Sequence, residues 1–377
     1  MLILGVGVVL VVLGRGLASF GMSPWEAYQV LRAEEPDATA IRHAEGPIST
    51  PNGIAERGFV RIGGIEQWVT MRGEDRRNPV ILILHGGPGD AVSQLAYFFR
   101  HWEHDFTVVQ WDQRGAGRTY GRYGKSTPNM TLAQFVDDAA GVADYARRHL
   151  HQRRIILLGH SWGSALGMYV VKRHPELFAA FIGTAQLVRT SDLQARYYRY
   201  TLARLRADGN DAGVAKLLQV GPPPYRTPKD QEVVRFWLNH YLDVADRRYL
   251  LTATAVALRN ERYTLRDFRD LQAGHLSFSL PVMGNTYDAV DLNSLGYDMP
   301  VPFFIIDGRS DRLAPPDLAA AYLEKTHAPA KGLFLIDGGH FALLSNSDDF
   351  LRLLDERIRP IALGFDTVQR SSDLNLN

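Results

Sequence analysis

The segment Gly159-His160-Ser161-Trp162-Gly163 constrains this chain more than any other. It follows the apolar run Ile155-Ile156-Leu157-Leu158 and precedes a helix-like stretch from Ser164 to His174. Strand, sharp turn and helix in that order are the setting in which a serine stands exposed above a sheet as a nucleophile. The turn strains the serine's backbone, so the residues two before and two after must be small. Gly159 and Gly163 meet that demand. An ordinary strand-to-helix turn with a serine N-cap would fit the segment taken alone. The choice between the two rests on partners elsewhere in the chain.

The surrounding rhythm predicts an α/β fold: a mostly parallel central sheet with helices on both faces. Phe59 to Ile62 and Ile65 to Val69 flank Gly63-Gly64, a hairpin signal that gives the sheet an antiparallel edge. Val80 to Leu84 and Phe106 to Trp111 are continuous apolar runs, as expected of strands buried on both faces, and Ile155 to Leu158, Phe178 to Thr184, Val301 to Ile306 and Gly332 to Ile336 also read as strands. Helix-like stretches separate them, among them Leu132 to Leu150, Pro316 to Thr326 and Asp348 to Ile358. From about Arg189 to Met299 the rhythm breaks into a long helix-like segment rich in Tyr, Arg and Leu, interrupted at Gly221-Pro222-Pro223-Pro224. That is too long for a loop and reads as a helical cap inserted over the sheet's C-terminal edge. The expected division is an apolar segment over 1–22, a short helix (Ser23 to Arg32) and polar linker over 23–57, a core over 58–188 and 300–359, the cap over 189–299, and a loosely held tail over 360–377.

Composition removes several function classes. The chain has 377 residues, 46% of them hydrophobic, enough for a large core. Its 42 Lys and Arg nearly balance 41 Asp and Glu, with no basic block interleaved with aromatics, so nucleic acid is not an expected partner. The absence of cysteine excludes disulfides, thiolate metal sites and a cysteine nucleophile. No His-Glu-x-x-His or similar spacing points to a catalytic metal. Leu2 to Leu13 is an apolar run with Arg15 after it. It is short for a membrane span and suits an export signal or an anchor giving membrane attachment through residues 2–13. A helix docked on a cytoplasmic protein is the alternative.

A serine hydroxyl needs a base within hydrogen-bond reach, and the base needs an orienting carboxylate. In this type of fold they follow in the order Ser, Asp or Glu, His. The run Val301 to Ile306 ends in Asp307-Gly308-Arg309-Ser310-Asp311, and Gly332 to Ile336 ends in Asp337-Gly338-Gly339-His340. His340 is the expected base and Asp311 its orienter, with Asp307 and Asp337 as rivals. Acyl transfer also needs backbone N–H groups aimed at the developing oxyanion. Trp162, just after the nucleophile, is one candidate. His85-Gly86-Gly87-Pro88-Gly89 offers the second, at Gly87 or, as runner-up, Gly86. His85 and His160 read as structural.

Taken together, His85 to Gly89, Trp111-Asp112-Gln113-Arg114-Gly115, Gly159 to Ser164, the Asp311 turn and Gly339-His340 resemble the proline iminopeptidase family of α/β-hydrolases. The resemblance runs from about Gly58 to Ile358. It implies a Ser161-His340-Asp311 triad, Gly87 and Trp162 as oxyanion donors, no cofactor, and removal of an N-terminal proline or related residue from small peptides. The chain departs from the family in two places. Gly117-Arg118-Thr119 stands where the family has Gly-x-Ser. The family binds the substrate's ammonium with cap glutamates, one in an Ile-Glu-Asn-His-Tyr segment. The matching segment here is Trp237-Leu238-Asn239-His240-Tyr241, with Leu238 in the glutamate's place. The candidates for that role are the cap's two glutamates, Glu232 and Glu261, and Asp288. A carboxylesterase or lactonase using the same triad on small apolar esters is the alternative. A catalytically silent binding protein on this fold is the alternative of another class.

Overall fold

The computed structural model describes residues 38–364. The apolar run Leu2 to Leu13, the expected helix Ser23 to Arg32 and the end of the chain lie outside these residues. Among the described residues no helix is long and apolar enough to cross a membrane.

Eight strands form one sheet: β1 (Ile54–Ile62), β2 (Ile65–Gly73), β3 (Val80–Leu84), β4 (Thr107–Asp112), β5 (Ile155–His160), β6 (Phe178–Thr184), β7 (Phe303–Gly308) and β8 (Lys331–Ile336). Their order is β1-β2-β4-β3-β5-β6-β7-β8. β1, β2 and β4 pair antiparallel and all later neighbours pair parallel. Alternation on β3 divides the core between the two faces. Val80, Leu82 and Leu84 pack on one side with Phe135, Trp162, Phe181 and Phe303. Ile81 and Ile83 pack on the other with Phe99, Trp102, Phe350 and Leu354.

The helices are α1 (Ala38–Ala44), α2 (Gly117–Tyr123), α3 (Leu132–His149) and α4 (Trp162–Arg173), then α5 (Thr190–Ala207), α6 (Asp211–Val220), α7 (Pro228–His240), α8 (Val244–Arg259), α9 (Leu265–Gln272) and α10 (Leu280–Asp288) of the cap, then α11 (Pro316–Lys325), α12 (Ala342–Ser345) and α13 (Ser347–Leu353). A 3₁₀ segment, Ser93–His104, links β3 to β4. Inside the cap, α9 and α10 are joined without a break by a π-helical turn, Ala273–Ser279. The Gly221-Pro222-Pro223-Pro224 breaker falls between α6 and α7. The two ends of the insertion leave the core side by side. Arg189 bridges Asp291 antiparallel, Thr190 N–H donates to the Val290 carbonyl, and Leu292 N–H donates to the Val188 carbonyl.

Two expectations need correction. The stretch expected as linker after Arg32 contains a helix and the start of the first strand. α1 packs Ile41 into the cluster of Leu95, Phe99 and Trp102, with Ala44 buried one turn on, and the edge hairpin begins at the buried Ile54 rather than at Gly58. Three alanines and one isoleucine among polar neighbours are too few to announce a helix, yet tertiary contact suffices to hold one. The C-terminal tail does not begin at 360 either. The last helix passes through a π-helical turn, Leu354–Ile358, and continues over 359–364 with Ala362 buried. A wider turn just before Pro360 is one of the ways a helix tolerates a proline's missing N–H.

Candidate active site

Strand register gathers the candidate residues at one edge. Leu84 at the end of β3 pairs with Gly159 on β5, so the glycine loop and the serine turn leave the sheet side by side. Gly308 at the end of β7 pairs with Ile336 at the end of β8, so the turns carrying Asp311 and His340 are also neighbours. This is the carboxyl edge of the parallel strands, where open α/β sheets bind ligands.

Ser161 lies between β5 and α4 with φ of 54° and ψ of −116°, in the left-handed region that side chains disfavour. Packing holds it there. A Cβ at Gly159 would collide with the Gly163 carbonyl, and one at Gly163 with the Leu84 carbonyl. Ser161 N–H donates to the Thr184 carbonyl at 3.0 Å, and the buried Trp162 ring packs edge-on against Phe135. Trp162 is the first residue of α4, so its N–H belongs to the helix's unpaired N-terminal donors.

His340 Nδ1 donates to Asp311, 3.0 Å from Oδ2 and 3.2 Å from Oδ1. Both residues are buried, at 7% and 1% exposure. The Asp311 carboxylate also accepts the N–H groups of Leu313 and Ala314. The rivals lie elsewhere. Asp307 is on β7, fully buried, and accepts from Gln186 N–H. Its carboxyl is pushed well above the usual range by burial and by neighbouring Asp311. Asp337 is exposed beside Arg309. Burial opposes the charged form of His340, but the charge and hydrogen bond of Asp311, with Asp246 and Asp307, outweigh it. The pKa of His340 is raised above the ordinary histidine value. Among the described residues no hydrogen bond joins Ser161 Oγ to the His340 ring. The link is one residue away: His160 Nε2–H donates to the His340 carbonyl at 2.9 Å. Burial pushes the pKa of His160 down to about 3, so this imidazole is neutral.

The glycine loop closes the site from β3. A Cβ at Gly86 would press on Ser161 Cβ at 3.3 Å and on the His160 ring at 3.0 Å. Gly87 has φ of +110°, which only glycine adopts readily. No protein acceptor takes its N–H among the described residues. His85 holds the loop's base: its Nε2 accepts from Gln113 N–H at 3.1 Å, and Gln113 Nε2 donates to the His85 carbonyl. The cap's π-helical turn lies over the loop, where His275 Nδ1–H donates to the Pro88 carbonyl at 2.9 Å.

The departure at Gly117-Arg118-Thr119 has a structural role. Thr119 accepts Trp68 N–H and donates to the Asp112 carbonyl. Arg118 reaches into the cap, 2.9 Å from Asp267, its guanidinium 4.5 Å from the Trp68 ring centre and 4.0 Å from that of Tyr263.

The three cap carboxylates singled out for amine binding are not brought to the site. Glu232, Glu261 and Asp288 are all exposed, and Asp288 accepts from Gln194. Leu238 is buried in the cap's own core near Leu205, Leu217 and Val234. The cap carboxylate that does reach His340 is Asp246, on α8, which sequence reasoning missed. Nothing in the local pattern distinguishes it from the neighbouring Asp243. Among the described residues no group of three or more His, Asp or Glu side chains is placed to hold a metal ion.

Residues 79–347 match the family model for the alpha/beta hydrolase fold. The chain belongs to the α/β-hydrolase family. It is 29% identical over 285 residues to the probable aminopeptidase YbaC of Bacillus subtilis, covering 72% of this chain and 86% of that one. It is 22% identical over 315 residues to a proline iminopeptidase of Saccharolobus solfataricus, covering 80% and 92%. The solved structure of a proline iminopeptidase-related protein from Thermus thermophilus shares the fold, with a TM-score of 0.57 at 20% identity over 82% of this chain and 98% of that one. Within that family these matches make it similar to an aminopeptidase and to a proline iminopeptidase.

The elbow's packing makes a sharp stability prediction. Gly163→Ala should destabilise the folded chain by about 3 kcal/mol or more, because backbone rather than a movable side chain stands in the way. Gly284→Ala, in α10 with open space at its Cβ, should be neutral or stabilising by up to about 1 kcal/mol. Urea denaturation midpoints of the two variants check the contrast.

Proposed function

We propose that this chain is a serine hydrolase that cleaves small amides or esters through an acyl-enzyme on Ser161. The observation that carries the reading is the strained Ser161 turn beside a buried His340–Asp311 pair on one sheet edge. Ser161 Oγ attacks the substrate carbonyl while His340 Nε2 takes its proton. Asp311 holds the Nδ1–H tautomer and stabilises the imidazolium that forms. The N–H groups of Trp162 and Gly87 receive the oxyanion. Collapse of the tetrahedral intermediate expels the leaving group, which takes the proton from His340. Water then repeats the sequence, with His340 as base, and releases the acid.

For the substrate, the relatives favour an unblocked N-terminal residue, proline first, on a small peptide or amide. One observation favours neutral acyl esters instead. Glu232, Glu261 and Asp288, the cap carboxylates expected to bind the amine, face solvent. An ammonium buried without a carboxylate partner loses on the order of several kcal/mol.

Three outcomes follow for the chemistry. A fluorophosphonate should label Ser161, and Ser161→Ala should abolish labelling and lower turnover by on the order of 10⁴-fold or more. His340→Ala should be nearly as damaging and the double variant little worse, since the triad acts as a unit. In the wild type kcat/KM should rise with pH, with the acid limb above the ordinary histidine value of about 6.5, because deprotonating His340 creates the base and its neighbours hold the proton on. Labelling that survives Ser161→Ala sinks the assignment.

The substrate is decided by one ratio: kcat/KM for a free proline arylamide over that for its N-acetyl derivative. A value well above one supports the aminopeptidase. A value below one, with short acyl esters turned over faster than either, supports the esterase.

A further inference from the structure

The first turn of cap helix α8 grips both loops of the triad. Asp246 is fully buried, and its two carboxylate oxygens accept the backbone N–H groups of His340 at 2.8 Å and Phe341 at 2.9 Å. Gly339 presents no side chain there, and a Cβ would collide with that carboxylate. Three residues earlier, Asp243 accepts from Ser310 Oγ at 2.8 Å, next to Asp311, while its other oxygen caps α8 through Ala245 N–H. The loops are also tied to each other, because Ser310 N–H and Oγ both reach the Gly338 carbonyl. Charge-assisted hydrogen bonds of this kind are the stronger ones, and a buried carboxylate that makes two cannot be lost without consequence.

We propose that Asp246 is a positioning residue supplied by the cap, which fixes the backbone of His340 and holds a negative charge beside its ring. The inference rests on the Ser161-His340-Asp311 reading and adds a fourth group to it. The groups facing His340 are Asp311 from the β7 loop, Asp307 from β7, His160 from the elbow with ring centres 5.0 Å apart, and Asp246 from the cap. Asp311 orients the ring through Nδ1 and His160 holds the carbonyl. Asp246 alone holds the amide. Burial pushes the carboxyl of Asp246 up to about 6, against the pull of the two amides and of His340. Both of its oxygens accept backbone N–H groups, the contacts an ionised carboxylate makes, and its charge favours the imidazolium. The cap thereby does more than cover the site. Displacing α8 would move the base and change its basicity together.

The second-order rate of Ser161 labelling by a fluorophosphonate, followed from about pH 5 to 9, needs no knowledge of the substrate and reads the base directly. Asp246→Asn keeps the shape but turns an acceptor into a donor facing a backbone N–H, and it removes the charge. Its plateau rate should fall about 10- to 100-fold, and its acid limb should move to lower pH by about half a unit or more. Asp246→Ala, whose vacated space admits water to the two amides, should show the same direction of shift and serves if the asparagine variant does not fold. Ser310→Ala cuts the Asp243 tie but leaves the charge near His340, so its limb should stay in place. A wild type that is not labelled at Ser161 removes the triad reading itself. A labelled wild type whose Asp246 variants keep its plateau and its limb overturns this inference alone.

Discussion

The left-handed backbone of Ser161 is the constraint on which the rest of this molecule depends. A serine at φ of 54° is unfavourable in isolation and persists only where its surroundings over-determine it. Here the determination is steric and comes from three strands. The Gly163 backbone is packed on the end of β3, Gly159 on Gly163, and the Ser161 N–H on the end of β6. The serine's exposure at the sheet edge is a consequence of a packed core. That explains why both glycines belong to the chemistry without touching a substrate.

From that point the site is assembled by register. β3 beside β5 brings the glycine loop to Ser161, and β7 beside β8 brings the Asp311 turn to the His340 turn. Neutral histidines then lock the halves together. His160 joins the elbow to the base loop, and His85 joins the glycine loop to Gln113, whose Oε1 accepts from the Trp162 indole at 3.3 Å. Burial keeps His85 and His160 neutral, with pKa values of about 4 and about 3, so each can donate from one ring nitrogen without adding a positive charge beside the base.

Much of this was legible in the sequence, and the reason is physical. Strands buried on both faces are continuous apolar runs, so β3 and β6 could be bounded to the residue. Turn chemistry marked the elbow, the glycine loop and the Asp311 and His340 turns, because close backbone approach demands glycine. α1 was illegible because its one large apolar residue, Ile41, carries no periodicity. The cap was legible as helical, but not in its contacts. Which of its carboxylates face inward depends on how the helices are laid over the sheet, and no local pattern records that. Glu232, Glu261 and Asp288 turned outward, while Asp246 and Asp243, on a helix's first turn, turned toward the triad. Arg118 illustrates the same limit. A departure within a core motif acquires its meaning from Asp267 and Tyr263, about 150 positions away along the chain.

The account's central claim is that this sheet edge performs covalent catalysis at one strained serine. The most direct test is to quench the enzyme with acid during turnover of a short acyl ester, then weigh the intact chain and map its peptides. The account predicts a mass increase equal to the acyl group, confined to the peptide carrying Ser161 and vanishing as substrate is exhausted. Turnover with the acyl group on another residue, or a burst of leaving group with Ser161 unmodified, would contradict it.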